Sequence, residues 1–170
     1  TEQPADNVAA GRYARVVAQL NAVKARKNHA ADWYLKCADG YEKAQQHVPI
    51  QIECLWSAGM GYRDAFQLEK AKEAFERLIQ MLEGKSGVET NGYISLSYVM
   101  LAQLHEPQMT AKKNAYRLKQ KQYLKYAEKA VQAVESEGQT DAFIHALALY
   151  ELAKAHESLK QKKLAAKSYE

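Results

Sequence analysis

Five histidines, two cysteines and several closely spaced carboxylates are the groups in this chain that could do chemistry, and their spacing argues against it. Two histidines share a helix face, and can hold one metal ion, when they lie three or four residues apart. His29, His47, His105, His145 and His156 never meet that condition. His145 follows Asp141 by one helical turn, the spacing of a surface ion pair. Cys37 and Cys54 are 17 residues apart (54 − 37), which fits neither a zinc nor a redox motif. Each lies in an apolar helical stretch and reads as a small buried hydrophobe. The pairs Glu73/Glu76 and Glu135/Glu137 fall on solvated faces. There is no HExxH, no glycine-rich phosphate loop and no GxSxG, and Gly59-Met60-Gly61 lies inside a helical pattern. The expectation is a non-enzyme with no metal and no cofactor.

The elements that carry these groups are helices. The chain has 170 residues with 47% hydrophobic and 26% charged, and only eight Gly and three Pro. That composition suits long helices on short connections better than a turn-rich sheet. No apolar run approaches the ~18 residues of a membrane span. Apolar residues at Val8, Tyr13, Val16, Val17, Leu20 and Val23 predict a first helix over 8–27 with those side chains along its packed stripe. A second follows over 30–47, ended by Pro49. Further helices are predicted over 51–64, 67–82, 93–105, 110–136 with Thr110 as N-cap, and about 141–159 after Thr140. A last one starts near Lys162. Gly84 to Gly87 and Asn91-Gly92 read as turns, and Gly138 as a helix stop.

The stretch from Ile52 to Glu83 has a recognisable order. Leu55, Ala58, Gly59 and Tyr62 on one helix are followed by Ala71, Phe75 and Leu78 on the next. This resembles the tetratricopeptide repeat, a ~34-residue helix–turn–helix unit. In that frame Gly59 and Ala71 let two helices cross closely, while Gly61 has no evident packing reason. Moving the frame back to Ala18 gives Ala25, Asn28, Cys37 and Tyr41 at the signature positions. A frame from Ala146 gives Leu149, Leu152, Ala153, His156, Ala165 and Tyr169. Between them, Tyr98, Leu101, Ala102 and His105 match the first helix of a unit. Its second-helix partners, Ala127, Val131 and Val134, need an insertion near Pro107 to Arg117. The implied architecture is all-α: one domain over 1–170, a right-handed α-solenoid of about four helix pairs. These cover 18–49, 52–83, 95–136 with the insertion and an extended helix, and a truncated 146–170. His105 and His156 then take aromatic core positions.

What the resemblance implies for function is protein–protein interaction. First helices of such units line a concave groove, and their second, fifth, ninth and twelfth positions touch a bound peptide. Here those are Glu53, Trp56, Met60 and Arg63; then Leu96, Val99, Gln103 and Glu106; then Leu147, Tyr150, Lys154 and Glu157. The expected groove is therefore built on Trp56, Met60, Arg63, Val99, Gln103, Tyr150 and Lys154, with Trp56 either exposed there or packed on a neighbouring helix. Family members that clamp a chaperone's acidic C-terminus carry Lys and Asn where this chain has Trp56 and Met60, so that ligand is not expected.

A second surface is basic. Lys112, Lys113, Arg117, Lys119, Lys121, Lys125 and Lys129 face only Glu128, with Tyr116, Tyr123 and Tyr126 interleaved. Cations on phosphates and tyrosines on bases is how a single-strand binder works. A solvated helix face with core-serving tyrosines explains the same residues. The leading expectation is a scaffold or adaptor that binds a peptide or protein segment. The alternatives are a nucleic-acid or anionic-surface binder using 112–129, and a self-associating segment of a longer repeat protein, a homo-oligomer. The sequence starts at Thr1, which suits a processed, exported or periplasmic chain, whereas two cysteines read as unpaired suit a cytoplasmic one.

Overall fold

The computed structural model describes residues 4–45, 47–85, 87–107, 113–136 and 141–169. Among them are eight helices and no strand: α1 (Pro4–Val23), α2 (Lys27–Lys43), α3 (Val48–Asp64), α4 (Leu68–Leu82), α5 (Val88–Leu104), α6 (Lys113–Glu135), α7 (Ala142–Ser158) and α8 (Lys162–Tyr169). The fold is all-α. It divides into two compact units, Thr1–Leu78 and Ile79–Glu170, with the boundary inside α4. No helix is long and apolar enough to cross a membrane among the described residues.

In the first unit α1 packs on α2 and α2 on α3. The face α1 uses is the opposite of the expected one. Gly11, Ala14 and Ala18 are buried, while Tyr13, Val16, Leu20 and Val23 are exposed. The reason is the close crossing of α1 and α2. A Cβ on Gly40 would lie 2.8 Å from the Asn7 carbonyl oxygen and from the Gly11 Cα and N. Only small residues permit two backbones to approach so nearly. Pro49 does not end α2, which stops at Lys43; it sits in the first turn of α3, where its missing N–H costs nothing.

Gly61 has a packing role after all. Its added Cβ would meet the Ala31 Cβ at 3.1 Å and the Lys27 carbonyl oxygen at 3.2 Å, so it lets α3 lie against α2. Cys37 and Cys54, both fully buried, are joined by a disulfide between the same two helices. The reading of two unpaired cysteines is thereby corrected: parallel apolar stripes on α2 and α3 bring them face to face.

On α3 the expected Gly59 crossing is present. A Cβ there would come within 2.6 Å of the Phe75 ring. Gly59→Leu is expected to cost on the order of 1–3 kcal/mol by overpacking this contact. Thermal unfolding of the variant against wild type is the measurement, and an unchanged midpoint would be the contrary result.

In the second unit α5 packs on α6 and α7, α6 on α7, and α7 on α8. Ser95, buried on α5, donates to the Ala130 carbonyl of α6 at 2.8 Å. Ala102, Tyr123, Ala127 and Ala155 form one cluster of its core, flanked by Leu124, Tyr126 and Leu152. Asn91-Gly92 is not a turn: both lie within α5, and Gly92 makes room for the Ile144 methyl of α7, 3.0 Å from where a Cβ would stand. Asp141, rather than Thr140, caps α7, accepting from the Phe143 and Ile144 N–H groups at 2.9 and 3.2 Å. The Asp141 carboxylate is thus spent on the backbone. His145 instead faces Glu135 of α6 at 3.5 Å. Thr110, Gly138 and Thr140 lie outside the described residues.

Three interhelical turns share one geometry. Ala25, Phe66 and Lys160 each have positive φ, at 55°, 58° and 61°. After each, an N–H returns five residues back: Arg26 to Asn21, Gln67 to Tyr62 and Gln161 to His156, all at 2.9 Å. This is the hydrogen bond of a Schellman closure. The first interval is 41 residues (66 − 25), not the ~34 of the expected frame. Aligned on the turns, Gly59 corresponds to Ala18 and Ala153, and Ala71 to Ala30 and Ala165. The frame from Ala18 that selected Ala25 and Cys37 is therefore displaced, because it begins in the middle of α1.

Candidate binding surface

On α3, Glu53, Trp56, Met60 and Arg63 recur at intervals of three and four, which sets them on one side of the helix. Arg15 of α1 reaches across and donates to both Glu53 oxygens, at 2.8 and 2.5 Å. Trp56 is partly exposed and meets the Phe75 ring edge-on, with centroids 5.5 Å apart. Trp56 thus packs on α4 and still shows a face. Arg63 pairs with Asp64 at 3.0 Å, and Lys27 approaches the other oxygen of that carboxylate at 3.5 Å. Burial opposes but the two cations prevail, and they hold Asp64 below the usual carboxylate range.

The second unit contains the more organised constellation, on α5, α6 and α7. Glu151 lies on the small-residue stripe of α7, between Ala148 and Ala155, and is only 2% exposed. Tyr123 donates to its Oε2 at 2.7 Å and Gln103 to its Oε1 at 2.9 Å. Lys154, one turn on, stands 3.7 Å from Oε2 and 3.3 Å from the Glu106 carboxylate. Burial works against its charge, but Glu151 and Glu106 outweigh burial and raise the Lys154 pKa. The ammonium also lies over the Tyr150 ring, 5.7 Å from its centroid. Tyr150 itself is half exposed and tilts against Tyr169 of α8.

Gln103, Tyr150 and Lys154, all expected to face a ligand, are thus brought together in one cluster around a carboxylate that was not expected. The signal for Glu151 was legible: an acid with Ala148 three residues before it and Ala155 four after lies on a small-residue stripe and must be paired when buried. Val99 is a correction. It is fully buried and cannot form a groove floor. The interval rule placed it on the groove side of α5, but that side of the helix is packed at this position.

The basic stretch behaves differently. Arg117, Lys119, Lys121 and Lys125 are exposed on α6. Lys112 and the side chain of Lys113 lie outside the described residues. Tyr123 is fully buried, and Tyr126 lies between Tyr98 and His105. Those two tyrosines serve the core, so the interleaved pattern offers no stacking platform through them. His105 donates through Nδ1 to the Leu101 carbonyl, 2.8 Å away, and His156 is buried against Gln161 at 2.7 Å. Among the described residues no three His, Cys, Asp or Glu side chains cluster to hold a metal.

Burial, then the hydrogen bond to Glu151, pushes the Tyr123 phenol well above its ordinary value, and Tyr62 is raised likewise by burial and its 2.6 Å bond to Asp32. Raised phenols stabilise the fold below their unfolded pKa near ~10 and lose that contribution as pH rises. In a phenolate absorbance titration, Tyr62 and Tyr123 should therefore ionise only as the chain unfolds. Tyr62→Phe and Tyr123→Phe should each remove one late-titrating phenol; titration of either with the exposed tyrosines would contradict this. No protein-family model matches the chain, and no curated protein resembles it in sequence.

Proposed function

We propose that this chain is a non-catalytic scaffold built of tetratricopeptide-like helix pairs, and that it binds a peptide or protein segment on the α5/α7 face of its second unit. The reading of the pairs is supported by the Schellman turns at Ala25, Phe66 and Lys160 and by the Gly59–Phe75 crossing. The observation that carries binding is the exposed Tyr150 ring held in place by Lys154, which Glu106 and Glu151 in turn hold. An aromatic ring fixed before a partner arrives loses little rotamer freedom on contact, which favours it as an anchor. Trp56 with Met60 on α3 is a second contact point by the same family analogy.

The test is partner capture by wild type, Tyr150→Ala and Trp56→Ala, with low-salt and high-salt washes. A protein partner lost with either aromatic and retained at high salt supports this reading. Capture of nucleic acid alone, released by salt and indifferent to both substitutions, overturns it in favour of Arg117, Lys121 and Lys125.

A further inference from the structure

Beyond Tyr150 and Lys154 the exposed side of α7 continues to Glu157, and α8 answers it with a matching series. Tyr150, Lys154 and Glu157, like Lys162, Ala166 and Tyr169, follow intervals of four and three, so each trio shares one side of its helix. Glu157, Lys160, Lys162, Ala166 and Tyr169 line a cleft of about 630 Å³, well within the range of ligand-binding clefts. Its two ends differ. At one, the half-exposed rings of Tyr150 and Tyr169 meet with centroids 6.3 Å apart. At the other, beside the turn, stand Lys160 and Lys162, which are exposed and make no ion pair among the described residues. The one carboxylate of the lining, Glu157, lies beside the Tyr169 phenol.

The charge around the cleft is of one sign. Lys163 and Lys167 are exposed on α8. Gln120 of α6 donates to the Ser158 carbonyl at the end of α7, so its exposed neighbours Lys119 and Lys121 come to the same end of the unit. The two lysine-rich stretches of the sequence thus converge where α7 turns into α8. A cleft bordered by cations concentrates anionic ligands. The distance between its aromatic and cationic ends, from seven helical residues on α8 (169 − 162), is roughly 10 Å at 1.5 Å per residue. A helical ligand ~10 Å long and ~10–12 Å across would exceed the cleft's volume, so the occupant is an extended chain.

We infer that the α7/α8 cleft takes an extended peptide segment that carries an aromatic or large aliphatic side chain and, three or four residues away, Asp or Glu. The apolar side chain lies against Tyr150 and Tyr169, and the carboxylate meets Lys160 and Lys162. An extended chain advances ~3.3 Å per residue, so three or four residues join the two ends. This rests on Tyr150 as the anchor of the proposed binding face and adds which peptide that face selects.

The probes are labelled eight-residue synthetic peptides with one Phe and a pair of Glu set two to five residues from it, and the same series with Lys in place of Glu. Fluorescence anisotropy with the full chain should favour the Glu peptides by about tenfold or more, most strongly at a spacing of three or four. Lys160→Glu with Lys162→Glu should reverse that preference and leave the unfolding midpoint unchanged, because both side chains are exposed. Tyr150→Ala should weaken the Glu peptides by about tenfold, the loss of one aromatic anchor, and keep the preference for Glu. Equal binding of the two series, no binding by either, or a Glu preference that survives the double reversal overturns the inference; a partner captured by wild type and lost with Tyr150→Ala would still uphold the binding face. Peptide binding indifferent to Tyr150→Ala overturns both. A short single-stranded oligonucleotide that outcompetes every peptide, and no longer binds the double variant, makes the cleft part of a nucleic-acid surface and overturns the inference as well.

Discussion

Glu151→Ala is expected to destabilise the second unit by about 3–5 kcal/mol, the range for removing one member of a buried, hydrogen-bonded charge network. The effect is large because three other groups lose their partner together. Tyr123 is fully buried and donates its hydroxyl to this carboxylate. Gln103 loses the Oε1 acceptor of Glu151 to which its Nε2 donates, and Lys154 is left with Glu106. Each orphaned polar group adds a desolvation cost of its own. Glu151→Gln separates charge from shape: it keeps two hydrogen-bonding positions but loses the attraction to Lys154, so a smaller loss is expected. Tyr123→Phe with Glu151→Leu, which removes the polar pair rather than half of it, should recover much of the stability. Chemical denaturation with a constant slope is the measurement. If Glu151→Ala and the double variant unfold alike, the network does not hold the unit together.

Reduction of the Cys37–Cys54 bridge should cost the first unit about 3 kcal/mol, the chain-entropy value for a loop near fifteen residues. For a unit of this size that corresponds to a fall in unfolding midpoint of roughly 10 °C or more. Both sulfurs are fully buried between α2 and α3, so native protein should resist mild reductant and react with a thiol alkylator only after denaturation in reductant. Cys37→Ala with Cys54→Ala should reproduce the loss without any reductant. Full alkylation of the native, unreduced chain would contradict the bridge. Disulfides persist in oxidising compartments and are rare in the cytosol, so the bridge favours an exported or envelope location over a cytoplasmic one.

The helices were legible because their apolar periodicity is strong where a helix has one packed face. α4 is the clearest case: Ala71, Ala74, Phe75, Leu78 and Leu82 are all buried, and the expected bounds differ from Leu68–Leu82 by a residue. α1 was misread for the inverse reason. Hydrophobicity marks the large residues, but the contact that fixes α1 is made by Gly11, Ala14 and Ala18, whose advantage is small size and not apolar area. The site was legible only in part. Position rules put Gln103, Tyr150 and Lys154 on one expected face, but they cannot see that these side chains gather around one carboxylate, because that meeting depends on the approach of three helices. The disulfide was missed likewise: 17 residues of separation says nothing of how α2 and α3 face each other.

The turns at Ala25, Phe66 and Lys160 hold an L-residue where glycine is at ease, and Phe66 does so with 88% of its surface in water. None of the three side chains is needed to make the 2.9 Å closure behind it, which is backbone to backbone. These sites are thus interchangeable parts: what relieves one should relieve all. Phe66→Gly should raise stability by up to about 1 kcal/mol, set by released strain less the entropy glycine adds to the unfolded chain, and the same change at Ala25 and Lys160 should add to it. The molecule carries, in three copies, a ready means of being made more durable without touching the α5/α7 face proposed for recognition.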